Sequence, residues 1–205
     1  LERRDWKAAA KLVLGPVDFP WDRFIWEKAN VNFARLLGAV HTHELEDARR
    51  ELEQIQSIHK KLIQANENYK PNLVRIQMKV GEAWIMLEEG NKSQAIKIMT
   101  EAADMEDATA KHPVTPGEII PARELLGDMY LELGDFSNAI NAYEADLNRH
   151  PNRFNGLYGA GLALEKAGDI QKANQYYKRL LDNTHLSISD RPQILAFKSF
   201  LKSSN

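Results

Sequence analysis

Leu126-Gly127-Asp128-Met129-Tyr130-Leu131-Glu132-Leu133-Gly134-Asp135-Phe136 decides the fold, because the chain repeats its pattern 34 residues later. Tyr130 to Phe136 is answered by Leu164-Glu165-Lys166-Ala167-Gly168-Asp169-Ile170, and the same offset pairs Gly127 with Gly161, Ala139 with Ala173 and Tyr143 with Tyr177. An earlier block, Met86 to Ile96, matches Tyr130 to Ile140 at an offset of 44. The ten extra residues fall around the proline-rich stretch Lys111 to Ile119, and insertions between repeats belong in loops.

Leu126-Gly127-x-x-Tyr130, then Ala139-x-x-x-Tyr143, then Pro151 resembles the spaced signature of the tetratricopeptide family. Gly127 and Ala139 are small where the two helices of a hairpin cross, and Tyr130 and Tyr143 fill the space beside that crossing. Gly134 ends the first helix, Asp135 can cap the second, and Pro151 stops it. The family's tryptophan is missing: Lys79, Arg123 and Leu157 stand at its position. The resemblance covers roughly residues 70 to 187, and implies an all-α fold, a superhelix of antiparallel helical hairpins.

Within one such domain, 1–205, the expected parts are a half hairpin at 1–14, a degenerate repeat at 20–69, repeats at 70–110, 116–151 and 152–186, and a capping helix at 188–203. Asp5-Trp6-x-x-Ala9 resembles the second helix of a hairpin whose first is missing. The chain is therefore expected to be a piece of a longer one. Helices are expected near 4–13, 20–41, 44–68, 71–89, 91–110, 116–133, 135–149, 153–167, 169–182 and 190–202. Pro20, Pro71, Pro121 and Pro192 fall early in them, where proline costs little. Ile194, Phe197 and Leu201 share one face of the last helix, as a cap on the stack requires. His112-Pro113-Val114-Thr115-Pro116-Gly117 followed by Pro121-Ala122-Arg123-Glu124 is similar to the C-terminal part of certain bacterial tetratricopeptide proteins of unknown function. That likeness implies more hairpins upstream and no activity.

Composition narrows the function. Charged residues make up 27% and the net charge is −2, so no global field draws the chain to nucleic acid, and none is expected as a partner. With no cysteine there is no disulfide, thiolate nucleophile or cysteine–zinc site. No apolar run approaches the roughly 20 residues that span a bilayer, so membrane insertion is not expected. A soluble protein of the cytoplasm or periplasm fits. His41 and His43 lie two apart, on different helix faces, and no third ligand is apparent. They read as surface or capping residues. No catalytic constellation or phosphate-binding glycine loop occurs, so no enzyme activity, cofactor or metal is expected.

The resemblance implies a concave face built from the first helix of each hairpin, which docks a peptide or a partner helix. Carried over, that face holds Phe33, Leu37, Val80, Trp84, Glu124, Asp128, Tyr158 and Leu162. It would be apolar and aromatic at first and acidic in the third repeat, suiting a basic or amphipathic ligand. Two readings of Trp84 stand, core and groove, since Val80-Gly81-x-x-Trp84 also fits the small–aromatic signature. Glu124 and Asp128 fit a solvated acidic face as well. A chaperone's C-terminal carboxylate is not expected as ligand, because Val80, Glu124, Asp128 and Tyr158 offer it acids rather than donors. The function expected is non-catalytic protein binding. Self-association, or service as an accessory segment to an enzyme, is the alternative.

Overall fold

Four turns within helical hairpins share one geometry in a computed structural model, which describes residues 1–110 and 117–203. Each turn places one residue at positive φ: His43 at 61°, Gly90 at 85°, Gly134 at 76° and Gly168 at 86°. In each, the next amide donates back to a carbonyl five residues earlier: Glu44 to Ala39 at 2.8 Å, Asn91 to Met86 at 2.8 Å, Asp135 to Tyr130 at 2.9 Å and Asp169 to Leu164 at 3.0 Å. This closes the last helical carbonyls and reverses the chain. Asp135 and Asp169 then cap the following helix, accepting from the amides of Asn138 and Lys172.

The described residues contain ten α-helices and no strand. They form two compact units, Leu1–Ala122 and Arg123–Asn205. In the first, a short α1 (Trp6–Ala10) and a 3-10 turn (Trp21–Arg23) precede the hairpins α2 (Ile25–His41)/α3 (Leu45–Gln64) and α4 (Lys70–Glu88)/α5 (Lys92–Asp107). The second holds α6 (Ala122–Glu132)/α7 (Phe136–Arg149), α8 (Phe154–Ala167)/α9 (Ile170–Thr184), and α10 (Pro192–Ser203).

In the first unit α2 packs against α1, α3 and α4. Gly38 lets α1 cross it backbone to backbone: a β-carbon there would stand 2.2 Å from the Ala10 nitrogen. Gly81 gives α4 room against the Leu36 side chain of α2. Polar ties run between helices, from Asn32 to Glu51 at 2.6 Å, Gln77 to Asn30 at 2.8 Å and Lys79 to Glu101 at 2.7 Å. In the second unit Tyr143 is the central piece. Its ring lies over Gly127 of α6 and Gly159 of α8, and its hydroxyl donates to Asp128 at 2.7 Å. Tyr177 repeats the arrangement over Gly161, donating to Glu165 at 2.8 Å. Beyond Tyr177 the place of a further hairpin is taken by α10, whose Phe197 and Phe200 lie against the ring at 6.0 and 5.0 Å. Ile194, Phe197 and Leu201 are all buried.

Several expected boundaries move. The helix read over 20–41 breaks into the 3-10 turn and α2, and the one over 4–13 shrinks to five residues. The helix placed at 116–133 begins at Ala122, because Pro121 disfavours helical backbone at Ile120 and stands just outside the helix. The turn expected over Lys111 to Ile119 lies, for 111–116, outside the described residues.

Candidate partner-binding surface

The expected inward positions of the first unit are occupied by packing. Phe33, Leu37, Val80 and Trp84 are all buried, Trp84 to 2% exposure. Trp84 meets the edge of His41 at 4.5 Å, and His41 stacks on Trp6 at 4.1 Å with 22° between the rings. Of the two readings of Trp84, core therefore holds. Burial, aided by the charges of Arg4 and His43, lowers the His41 pKa to about 4, so the ring is neutral at pH 7. His41, the last residue of α2, is partly buried against Trp6 and Trp84, whereas the exposed His43 sits in the hairpin turn and reaches Glu88 at 2.7 Å. Among the described residues no three ligating side chains gather to hold a metal.

Phe33 and Val80 line a hollow between α2 and α4 together with Trp26, Leu73 and Ile76. The chain's own Gly117–Ile120 lies across it, leaving a cavity of about 20 Å³, room for about one water. Ile120 is buried and the amide of Ala122 donates to Glu106 at 2.7 Å, which anchors the segment's far end. The four apolar positions expected to meet a partner are closed off in this structure, two by α1 and the helices around it and two beneath this strap.

The acidic patch expected in the third repeat is also altered. Glu124 is fully buried, and the Arg153 guanidinium donates to its two oxygens at 2.7 and 3.3 Å. A buried carboxylate needs such a partner. Asp146, also fully buried, meets His150 at 2.7 Å. Burial raises its pKa to about 6; the His150 hydrogen bond opposes the shift and the Glu124 charge adds to it. Asp146 and His150 are legible as an i, i+4 pair, but Arg153 joins Glu124 from 29 residues away, which spacing alone does not reveal.

Asp128, Tyr158 and Leu162 remain partly exposed. Tyr158 and Leu162 lie one turn apart on α8. The Tyr158 ring is parallel to Phe154 at 6.3 Å and lies 6.2 Å from Tyr177, and the Arg191 guanidinium covers Phe154 at 4.8 Å. Burial, and then the Glu165 charge, raises the Tyr158 pKa, so its hydroxyl keeps its proton and can donate. Phe154 and Arg191 belong to this surface and were absent from the sequence reading; a position ahead of the signature, and one beyond the repeats, carry no spacing signal.

Residues 120–145 and residues 156–183 each match the tetratricopeptide repeat family. Among solved structures, the nearly identical TPR-like repeats of a candidate kinesin light chain from Podosopora anserina are similar to 89% of this chain and 84% of that one, with 16% identity and a TM-score of 0.55. A variant of those repeats is similar over 96% of this chain and 86% of that one, with 14% identity and the same TM-score. These likenesses show the fold. No curated protein matches the chain.

Proposed function

We propose, from the premise that residues 120–145 and 156–183 are tetratricopeptide repeats, that the chain binds a partner protein through the exposed face of α6 and α8. Such repeats generally mediate protein–protein interaction, and their fold is typically non-catalytic. The observation that carries the choice of face is the partial exposure of Tyr158 and Leu162 at adjacent turns, while five of the eight expected contact positions are buried. An i, i+4 pair of this kind suits the apolar stripe of an amphipathic helix or the side chains of an extended peptide. The carboxylates of Asp128 and Glu165, both half-buried, favour basic residues at the edge of that ligand.

A displayed library of amphipathic peptides selected on the chain tests this. Clones that bind the native chain should bind Tyr158→Ala/Leu162→Ser at least about tenfold more weakly, with helical content retained. Equal binding to the folded double variant refutes the surface.

The exposed Leu186, Ile188 and Leu195 favour a second reading, self-association through the C-terminal region. Light scattering that shows a dimer, abolished by Leu195→Lys, would support it. A monomer at high concentration removes it.

A further inference from the structure

One four-residue turn in the second unit ends in two side chains that hold two fully buried carboxylates. The turn, His150-Pro151-Asn152-Arg153, joins α7 to α8 and is closed by the Arg153 amide on the His150 carbonyl at 3.3 Å. Pro151 and Asn152, the latter at φ 65°, are residue types that such a reversal takes, and both are exposed. His150, the first residue, meets Oδ1 of Asp146 in α7 at 2.7 Å. Arg153, the last, donates through Nε and Nη2 to the two oxygens of Glu124 in α6 at 2.7 and 3.3 Å. One turn therefore ties α6 and α7 to the start of α8.

The two carboxylates are served differently. Both oxygens of Glu124 are met by a guanidinium, which keeps its charge at every pH a protein survives. Asp146 meets an imidazole, which can hold or lose a proton, and its Oδ2 is buried with no hydrogen-bond partner among the described residues. That oxygen lies against the first turn of α8, where a β-carbon on Gly156 would stand 3.3 Å from it. An unpartnered buried oxygen costs far less on a neutral carboxyl group than on a carboxylate. Burial accordingly holds the Asp146 pKa up at about 6, against the His150 hydrogen bond. The charges that act on Asp146 are Glu124 from α6, His150 from the end of α7 and Arg153 from the turn into α8. Because Asp146 and His150 share a hydrogen bond, the proton belongs to the pair.

We infer that the His150–Arg153 turn is a proton-operated clasp between the two hairpins of the second unit. With a proton on the Asp146–His150 pair, both ends of the turn are held. When that proton leaves, a second buried negative charge stands beside Glu124, and the His150 end lets go more often. A group that binds its proton better in the closed state favours closure in acid. The clasp is at full strength below about pH 4 and weakens as pH rises to about 6. α8 packs on α7 beside this turn, so the clasp sets how firmly α8, α9 and α10 are held to the hairpin before them. Such a local opening differs from a change in the stability of the whole unit.

Hydrogen exchange of the whole chain at pH 4.5 and 7, followed amide by amide by NMR and corrected for the intrinsic chemical rate, tests this. The amides of His150, Arg153 and Leu157 should open about tenfold more often at pH 7. That opening should not respond to urea below the unfolding range, whereas exchange at Tyr177 in α9 should. Asp146→Asn keeps the shape and cannot titrate, so at pH 7 it should open no more often than the native chain at pH 4.5. Junction amides that exchange only through the urea-dependent opening of α9 at both pH values would overturn the inference, leaving an effect on stability alone. An unchanged pH response in the folded Asp146→Asn variant would overturn it too.

A second measurement needs no variant, should Asp146→Asn not fold. In the native chain the Asp146 side-chain carboxyl carbon should titrate near pH 6, and the His150 ring signals should move in the same step. Asp146 titrating below pH 4.5, or with the His150 signals still, overturns the clasp.

Discussion

The two units turn their hairpins in the same way and pack them differently. In Leu1–Ala122 the paired helices are long, 17 and 20 residues and then 19 and 16, and the crossing of α4 on α2 rests on a flexible leucine, Leu36, against Gly81. In Arg123–Asn205 they have 11, 14, 14 and 15 residues, and each crossing rests on a rigid tyrosine ring over glycine. Both family matches fall almost wholly in the second unit. A ring with a fixed hydroxyl partner demands a fixed spacing, so its period stays at 34; a leucine that adopts other rotamers tolerates longer helices and a drifting period. The lesson is that strictness of a repeat follows from how little its crossing side chain can move.

Alanine in place of the crossing glycines puts that to the test. At Gly159 a β-carbon would stand 2.3 Å from the Tyr143 ring, which cannot retreat because Gly127 leaves no space on α6. Overpacking of this kind costs about 2–3 kcal/mol, only partly offset by the better helix propensity of alanine. At Gly81 the nearest atoms are the Leu36 methyl ends at 2.6 and 2.9 Å, which can rotate. Gly81→Ala should therefore be close to neutral, with propensity and strain of about 1 kcal/mol each. The readout is built in. All four tryptophans, Trp6, Trp21, Trp26 and Trp84, lie in the first unit, so tryptophan emission follows that unit and far-ultraviolet dichroism follows both. Equal losses from the two alanine substitutions would break the comparison.

Acid should act on the two units in opposite directions. His41, lowered to about 4 from 6.5, binds its proton less well folded than unfolded. Its contribution to the first unit is complete above about pH 6.5 and is lost as pH falls towards 4. Asp146, raised to about 6 from 3.8, binds its proton better folded than unfolded. The second unit is thus most favoured by this group below about pH 4, and loses that contribution as pH rises to about 6. Each effect should amount to about 1–2 kcal/mol across its window after allowance for partial solvent access. Urea midpoints at pH 4, 5, 6 and 7, followed by tryptophan emission and by dichroism, should separate on acidification. Asp146→Asn should flatten the second trend and leave the first. Parallel curves for the two probes would overturn the assignment.

What the sequence disclosed follows the same division. Gly134 and Gly168, Tyr143 and Tyr177, and the caps Asp135 and Asp169 are local signals with local causes, and they marked the second unit's hairpin helices within about two residues, except for the start of α6, which was expected six residues too early. The site residues were less legible because burial depends on what arrives from elsewhere. Trp84 is core because His41 and Trp6 cover it, and Phe33 and Val80 are covered by a strap some 40 to 90 residues downstream. Glu124 had the spacing of an exposed acid, yet it is buried and paired with Arg153, which arrives from the next hairpin. Tyr158 and Leu162 were expected on family geometry and stay partly exposed, while Phe154 and Arg191 beside them carried no signal.

The smallest effect lies in the turn that hid the first repeat. His43 takes the left-handed place that Gly90, Gly134 and Gly168 hold in the other hairpins, at φ 61°. A side chain there costs about 1–2 kcal/mol relative to glycine. Two terms oppose the gain from His43→Gly: the exposed contact with Glu88, worth about 0–1 kcal/mol, and the wider freedom of glycine in the unfolded chain. The net expectation is a gain of about 0.5 kcal/mol in the tryptophan-detected transition. In the second unit, Gly134→Ala should cost about 1 kcal/mol, because no partner offsets the strained backbone at φ 76°. A loss rather than a gain at His43 would mean that the Glu88 contact, and not the turn geometry shared by all four hairpins, holds the first reversal in place.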